Sequence, residues 1–117
     1  MLYCSIDIET TGLDPETCDI IQFAAVLDNL ADPQPLENVS RRTACSSYAP
    51  WNIQEDELGH KFARIVHLPA IFEDFLLKNG VQADYDGRPV KITVAGKNAA
   101  TFDLPFLIKH YQVQIFV

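Results

Sequence analysis

Leu2-Tyr3-Cys4-Ser5-Ile6-Asp7-Ile8-Glu9-Thr10-Thr11-Gly12-Leu13-Asp14-Pro15, the stretch that follows Met1, decides how the rest of the chain is read. Leu2, Cys4, Ile6 and Ile8 alternate with Tyr3, Ser5 and Asp7, the period of two that sends apolar side chains to one face of a strand. Thr10 to Pro15 then has the composition of a turn. Asp7 and Glu9 stand two apart at the end of the strand, so both carboxylates project to the same side. Like charges held that close repel and raise each other's proton affinity unless a cation sits between them. Hard divalent ions such as Mg²⁺ or Mn²⁺ take oxygen ligands of this kind. Taken alone, the pair fits an exposed strand end better than a metal site.

Outward from this stretch, Ile20 to Leu27 is short and almost continuously apolar, as a central strand would be. Asp28 to Asn38 holds two prolines and several acids and reads as a loop, and Val39 to Tyr48 as a weaker strand. The mixed signals of Pro50 to Arg64 admit a short helix from Gln54. A clearer helix follows, with Leu68, Ile71, Phe72, Phe75 and Leu76 on one stripe, Pro69 in its first turn and Gly80 at its end. After a turn-rich loop over Ala83 to Pro89, Lys91 to Ala95 reads as a strand. Thr101 to Tyr111 reads as a second helix with Pro105 near its start, and Val113 to Val117 as the beginning of another strand. Three early strands pair as an antiparallel meander, and the later strand–helix–strand unit adds parallel pairing. The expected fold class is α/β, a mixed sheet with helices packed on it.

A chain of 117 residues supports one domain. No apolar run is long enough to span a membrane, and the N-terminal residues lack the charge and apolar stretch of a signal peptide, so a cytoplasmic location is expected. Cys4, Cys18 and Cys45 lie far apart, form no CxxC pair, and read as buried or neutral thiols rather than zinc ligands or disulfides. The net charge of −7 argues against a broad basic surface for nucleic acid. It leaves room for an enzyme that grips one chain end through metal ions. Arg41-Arg42, Lys61 with Arg64, and Lys97 with Lys109 are candidate phosphate contacts that fit solvated surface better.

Ile6 to Pro15 resembles the first motif of the DEDD (DnaQ-like) 3′-5′ exonucleases, the superfamily of polymerase proofreading subunits and oligoribonucleases. Asn98-Ala99-Ala100-Thr101-Phe102-Asp103-Leu104-Pro105-Phe106-Leu107 resembles its second motif, with an Asn five residues before an Asp. The resemblance implies an RNase H-like fold and a two-metal mechanism with Mg²⁺ or Mn²⁺, the ions roughly 4 Å apart in the intact site. It implies Asp7, Glu9 and Asp103 as catalytic metal ligands. It also implies Thr10, Gly12 and Leu13 as contacts of the terminal nucleotide, and Asn98 and Phe102 as contacts of the penultimate one. Lys97 stands where the family often has His. Each position has a plainer reading beside this one. Asp103 could cap the helix that Pro105 opens. Thr10 and Gly12 could serve only the turn, and Leu13 and Phe102 could be core.

The family's third motif, a His or Tyr followed at short distance by an Asp, is absent: no Asp or Glu follows Asp103. His110, His60 and His67 fit no motif. Residues 1–117 therefore read as an exonuclease-like domain truncated before the third motif, with one metal ion or none retained and hydrolysis weakened or lost. The expected partner is a nucleic-acid 3′ end or a nucleoside monophosphate. Apolar surface left uncovered by the missing segment predicts a homodimer or higher oligomer. The competing readings are a non-catalytic binder of nucleic-acid ends or nucleotides, a vestigial structural or interaction domain, and a site completed by a second chain.

Overall fold

The alternation at the start of the chain becomes strand β1 (Leu2–Thr10), in which Cys4, Ile6 and Ile8 are buried while Asp7 and Glu9 are exposed. A computed structural model describes residues 2–46, 53–64, 67–89, 92–97 and 99–111. β1 pairs antiparallel with β2 (Ile20–Asn29), which pairs antiparallel with β3 (Ser40–Ser46). A short 3₁₀ turn, Leu36–Asn38, sits in the loop expected between the last two. The meander is therefore as expected.

The register of β1 with β2 slips by one residue at the end nearest the turn. Glu9 faces Gln22 but Thr10 faces Ile20, leaving Ile21 as an extra residue, a β-bulge. The bulge explains why Ile20 and Phe23, three apart, both enter the core at 0% and 1% exposure. Ile21 and Gln22 between them are turned to the opposite face.

The expected helix from Gln54 does not form. Gln54–Glu55 is instead strand β4 and Lys61–Ala63 strand β5, an antiparallel hairpin that joins the sheet by parallel pairing of β5 with β3. The turn decides this. The Asp56 carboxylate accepts the N–H groups of Leu58 and His60, each at 2.9 Å, and Gly59 takes φ 81°, open to glycine at little cost. Lys61 holds Glu55 across the hairpin at 2.9 Å, and Arg42 reaches it from β3 at 3.7 Å.

Helix α1 (Leu68–Lys78) buries Leu68, Ile71, Phe72, Phe75 and Leu76, the stripe read from the sequence. His67 precedes it without a side-chain cap and Pro69 lies in its first turn. At its far end Val81 N–H bonds Leu76 O at 3.0 Å and Gly80 N–H bonds Leu77 O at 3.4 Å, with Gly80 at φ 98°. That pair of bonds is a Schellman ending. The 83–89 loop is pinned to the helix by Arg88, whose guanidinium lies 2.6 Å from the Glu73 carboxylate.

β6 (Thr93–Ala95) then pairs parallel with Tyr3–Ser5 of β1, completing the order β4-β5-β3-β2-β1-β6. The second helix is preceded by a π-helical turn, Ala99–Asp103, before α2 (Leu104–Tyr111). The strand expected over Val113 to Val117 lies outside the described residues.

One core joins both helices to one face of the sheet, with Phe23 and Phe72 edge to face at 4.8 Å. On the other face Tyr3, Ser5, Ala24, Val26, Thr43, Cys45 and Phe62 are all only half-buried. Among the described residues, no helix is long and apolar enough to cross a membrane.

Phe72→Ala removes a fully buried ring at the helix–sheet contact and should cost about 3–5 kcal/mol in urea denaturation. Leu58→Ala, at a side chain 79% exposed, should fall within about 0.5 kcal/mol of the parent.

Candidate functional site

The two sequence motifs meet at one end of β1. Asp7 and Glu9 project from the face opposite the core and are exposed. Asp103, at the last position of the π-helical turn, is only 3% exposed and is the buried charged residue among those described. Its carboxylate accepts hydrogen bonds from the backbone N–H of Ile8 and from its own N–H. β6 pairs with β1 only from Tyr3 to Ser5, so further along this edge an acceptor from another element can take the Ile8 amide. Asp103 therefore points at β1, and its hydrogen bonds to the Ile8 and Asp103 amides are not those of a cap on α2.

Burial pushes the Asp103 carboxyl above its ordinary value, and the Asp7 charge raises it further, with a smaller contribution from Glu9. The charges of Asp7 and Glu9 thus act on Asp103 although it is far from both in sequence.

Thr10 to Asp19 forms a loop closed at its neck. Thr11 N–H bonds Asp19 O at 2.9 Å, and Asp19 N–H bonds Thr11 Oγ1 at 2.9 Å. The Thr10 hydroxyl donates to Gly12 O at 2.6 Å, and Asp14 O accepts Cys18 N–H at 2.8 Å. Gly12 is required for space rather than for a left-handed backbone, since a Cβ placed on it would lie 2.6 Å from Cys18 Sγ. The Thr17 hydroxyl beside that sulfur lowers the Cys18 pKa, helped by Asp14 backbone and the Thr11 hydroxyl. By contrast, burial pushes the Cys4 thiol up to about 12, which leaves it a neutral core residue. Leu13 is 86% exposed, so the core alternative fails for it.

Phe102 does touch the core, edge to face with Phe106 at 5.2 Å. Asn98 lies outside the described residues, and Lys97 before it is exposed. Arg42 and Lys61 are engaged by Glu55, and His60 pairs with Asp56 at 3.2 Å. These groups are engaged by the hairpin's Glu55 and Asp56. Cys4, Cys18 and Cys45 form no disulfide among the described residues.

Oxygen donors and uncompensated negative charge are the chemistry that a hard divalent cation fits. The spacing is looser than a closed ligand cage: among the described residues, no three His, Cys, Asp or Glu side chains are grouped closely enough to hold an ion. The Thr11–Asp19 neck and the role of Ile8 as hydrogen-bond donor had no signal in the sequence, because both depend on partners brought in by the fold.

No protein-family model matches the chain. Over 65 residues it is 38% identical to human mitochondrial DNA topoisomerase I, which is 54% of this chain and 11% of that protein. The fold is similar to that of E. coli Exonuclease I in complex with a dA16 oligonucleotide, with a TM-score of 0.58, 16% identity and 95% of this chain covered. The zinc-ion-bound form of that enzyme's complex with single-stranded DNA aligns with a TM-score of 0.57 at 13% identity, again over 95% of this chain. The chain spans 23% of each of those structures. The shared feature is the fold, which is the RNase H-like mixed sheet with helices packed on it.

Because Asp103 holds its proton more tightly when folded, the folded chain binds more protons than the unfolded one between the ordinary and the raised value. The stability that Asp103 contributes is therefore lost as pH rises through that window. Asp103→Asn should raise Tm at pH 7, and the gain should vanish below the ordinary aspartate range. Gly12→Ala should cost about 1 kcal/mol, since Cys18 Sγ must rotate away from its partners. Adding Cys18→Ala should relieve that clash, because the nearest remaining atom, Cys18 Cβ, is 3.8 Å away. A double-mutant cycle in urea measures the coupling.

Proposed function

We propose that this chain is a 3′-5′ exonuclease-type domain of the DEDD (DnaQ-like) kind, and that it holds a nucleic-acid 3′ end through divalent cations at Asp7, Glu9 and Asp103. The observation that carries this reading is where the fold puts the residues: the π-helical turn that ends in Asp103 packs on β1, the strand of Asp7 and Glu9, and burial together with their charges raises the Asp103 carboxyl above its ordinary value. Carboxylates so arranged cost stability unless a cation offsets them, and such groups mark functional sites. The similarity of fold to a single-stranded-DNA exonuclease supports the same reading.

Asp7 and Glu9 would hold the cation from the strand, and Asp103 from the π-helical turn. Mg²⁺ or Mn²⁺ bound there would activate water and stabilise the leaving 3′ oxygen. The loop closed by Thr11 and Asp19 would present Thr10, Gly12 and Leu13 to the terminal nucleotide. Leu13 would pack on the base, while Asn98 and Phe102 would meet the next nucleotide. No carboxylate follows Asp103 within these 117 residues. Residues 1–117 thus hold three of the four carboxylates of the resemblance. A non-catalytic binder of nucleic-acid ends is the second reading, favoured by the lack of a closed three-ligand group among the described residues.

The half-buried face carrying Tyr3, Ala24, Val26 and Phe62 is the surface through which we expect self-association. In sedimentation experiments, Val26→Lys should shift the protein toward monomer, whereas a parent that is already monomeric at high concentration would remove this part of the reading.

With Mn²⁺ and a labelled single-stranded oligonucleotide, stepwise loss from the 3′ end that disappears in Asp7→Ala would establish exonuclease activity. Mn²⁺-dependent binding of the oligonucleotide without cleavage, lost in Asp7→Ala, would support the binder. Absence of both would refute a nucleic-acid role for this site.

A further inference from the structure

An apolar side chain stands on the acidic face of the sheet beside the carboxylates. Ile20 and Phe23 both enter the core, so the bulge sends Ile21 and Gln22 to the opposite face, the face of Asp7 and Glu9. Gln22 is the register partner of Glu9, and Ile21 is the next residue toward the loop. The pairing of β2 with β3 begins at Gln22, so among the described residues Ile21 has no register partner on that side. It is 45% exposed, although β2 is an interior strand. Leu13, on the loop that leaves β1 at the same end, is 86% exposed. Two large apolar side chains therefore flank the end of β1, one on the loop and one on the strand.

An isoleucine 45% exposed on a strand offers a stiff apolar surface with no hydrogen-bonding group in its side chain. A nucleobase has an apolar face that such a surface can cover whatever its identity, as in sequence-tolerant binding of single strands. We propose that Ile21 is a second contact for the terminal base of an unpaired 3′ end, opposing Leu13 and reading the face of the base rather than its edge. This rests on the exonuclease-type reading of the site, and it assigns to the bulge a purpose beyond setting register. The slip of one residue is what turns Ile21 away from the core and toward the carboxylates.

The test uses the 117-residue chain with ¹³C-labelled isoleucine and leucine methyl groups, titrated with thymidine 5′-monophosphate and with deoxyadenosine 5′-monophosphate in Mg²⁺. Shifts of both Leu13 and Ile21 methyls with either nucleotide are expected. Ile53, 44% exposed beside Arg42 and Lys61, should stay unmoved. Ile21→Ala should weaken both nucleotides by about tenfold and to a similar degree, with Tm unchanged. Movement of Leu13 while Ile21 stays still would overturn this inference and leave the exonuclease-type reading intact. Stillness of both would overturn the two together, and equal movement of Ile53 would mark the shifts as non-specific and overturn the assignment of Ile21.

Discussion

The hydrogen bond from the Ile8 amide to the Asp103 carboxylate joins the two ends of the described chain. β1 is paired by β2 along one edge and by β6 only over Tyr3–Ser5 on the other. Beyond Ser5 the β1 edge is open to the π-helical turn, which brings Asp103 to the Ile8 amide. A π-helical turn inserts a residue and re-aims the side chain at its end, which is why such turns recur at functional sites. Phe106 and Leu107, just beyond it, are fully buried and hold the turn against the sheet. Packing therefore fixes where the carboxylate sits, and the open strand edge gives it a partner.

That arrangement is a liability for a protein with no ligand. A carboxylate 3% exposed, with Asp7 and Glu9 acting on it, is disfavoured in its charged form. Hydrophobic packing elsewhere has to offset it, and the single core spanning both helices and one face of the sheet is where that stability comes from. The neighbouring loop follows the same pattern. Gly12 lies so close to Cys18 that a side chain there would have to displace the sulfur, and the hydrogen bonds of Thr10 and Thr11 keep the loop at the end of β1.

Much of this was legible in the sequence because it is written in local periodicity. The alternation of residues 2–8 and the stripe from Leu68 to Leu76 gave faces that burial reproduces. The hairpin of β4 and β5 was misread as a helix. Gln54 to Leu58 has helical composition, and the Asx turn at Asp56 and the left-handed Gly59 outweigh it only once β5 finds the edge of β3. The bulge at Ile21 was invisible because IIQFAAVL is apolar enough to hide a one-residue slip. In the site, the turn and strand placing Asp7, Glu9 and Leu13 were readable. The need for glycine at position 12 was expected to be conformational and is instead steric. The way Asp103 is held depends on a strand a hundred residues earlier in the chain, and no local pattern carries that.

Everything at this end of the sheet turns on whether the Asp7 charge acts on the buried Asp103 carboxyl. Following the Asp103 carboxyl carbon by NMR across a pH titration, in the parent and in Asp7→Asn, tests it directly. The account predicts a raised midpoint in the parent that falls toward the ordinary aspartate value when the Asp7 charge is removed, with burial leaving part of the shift. An Asp103 midpoint that is ordinary in the parent, or raised but indifferent to Asp7→Asn, would contradict it.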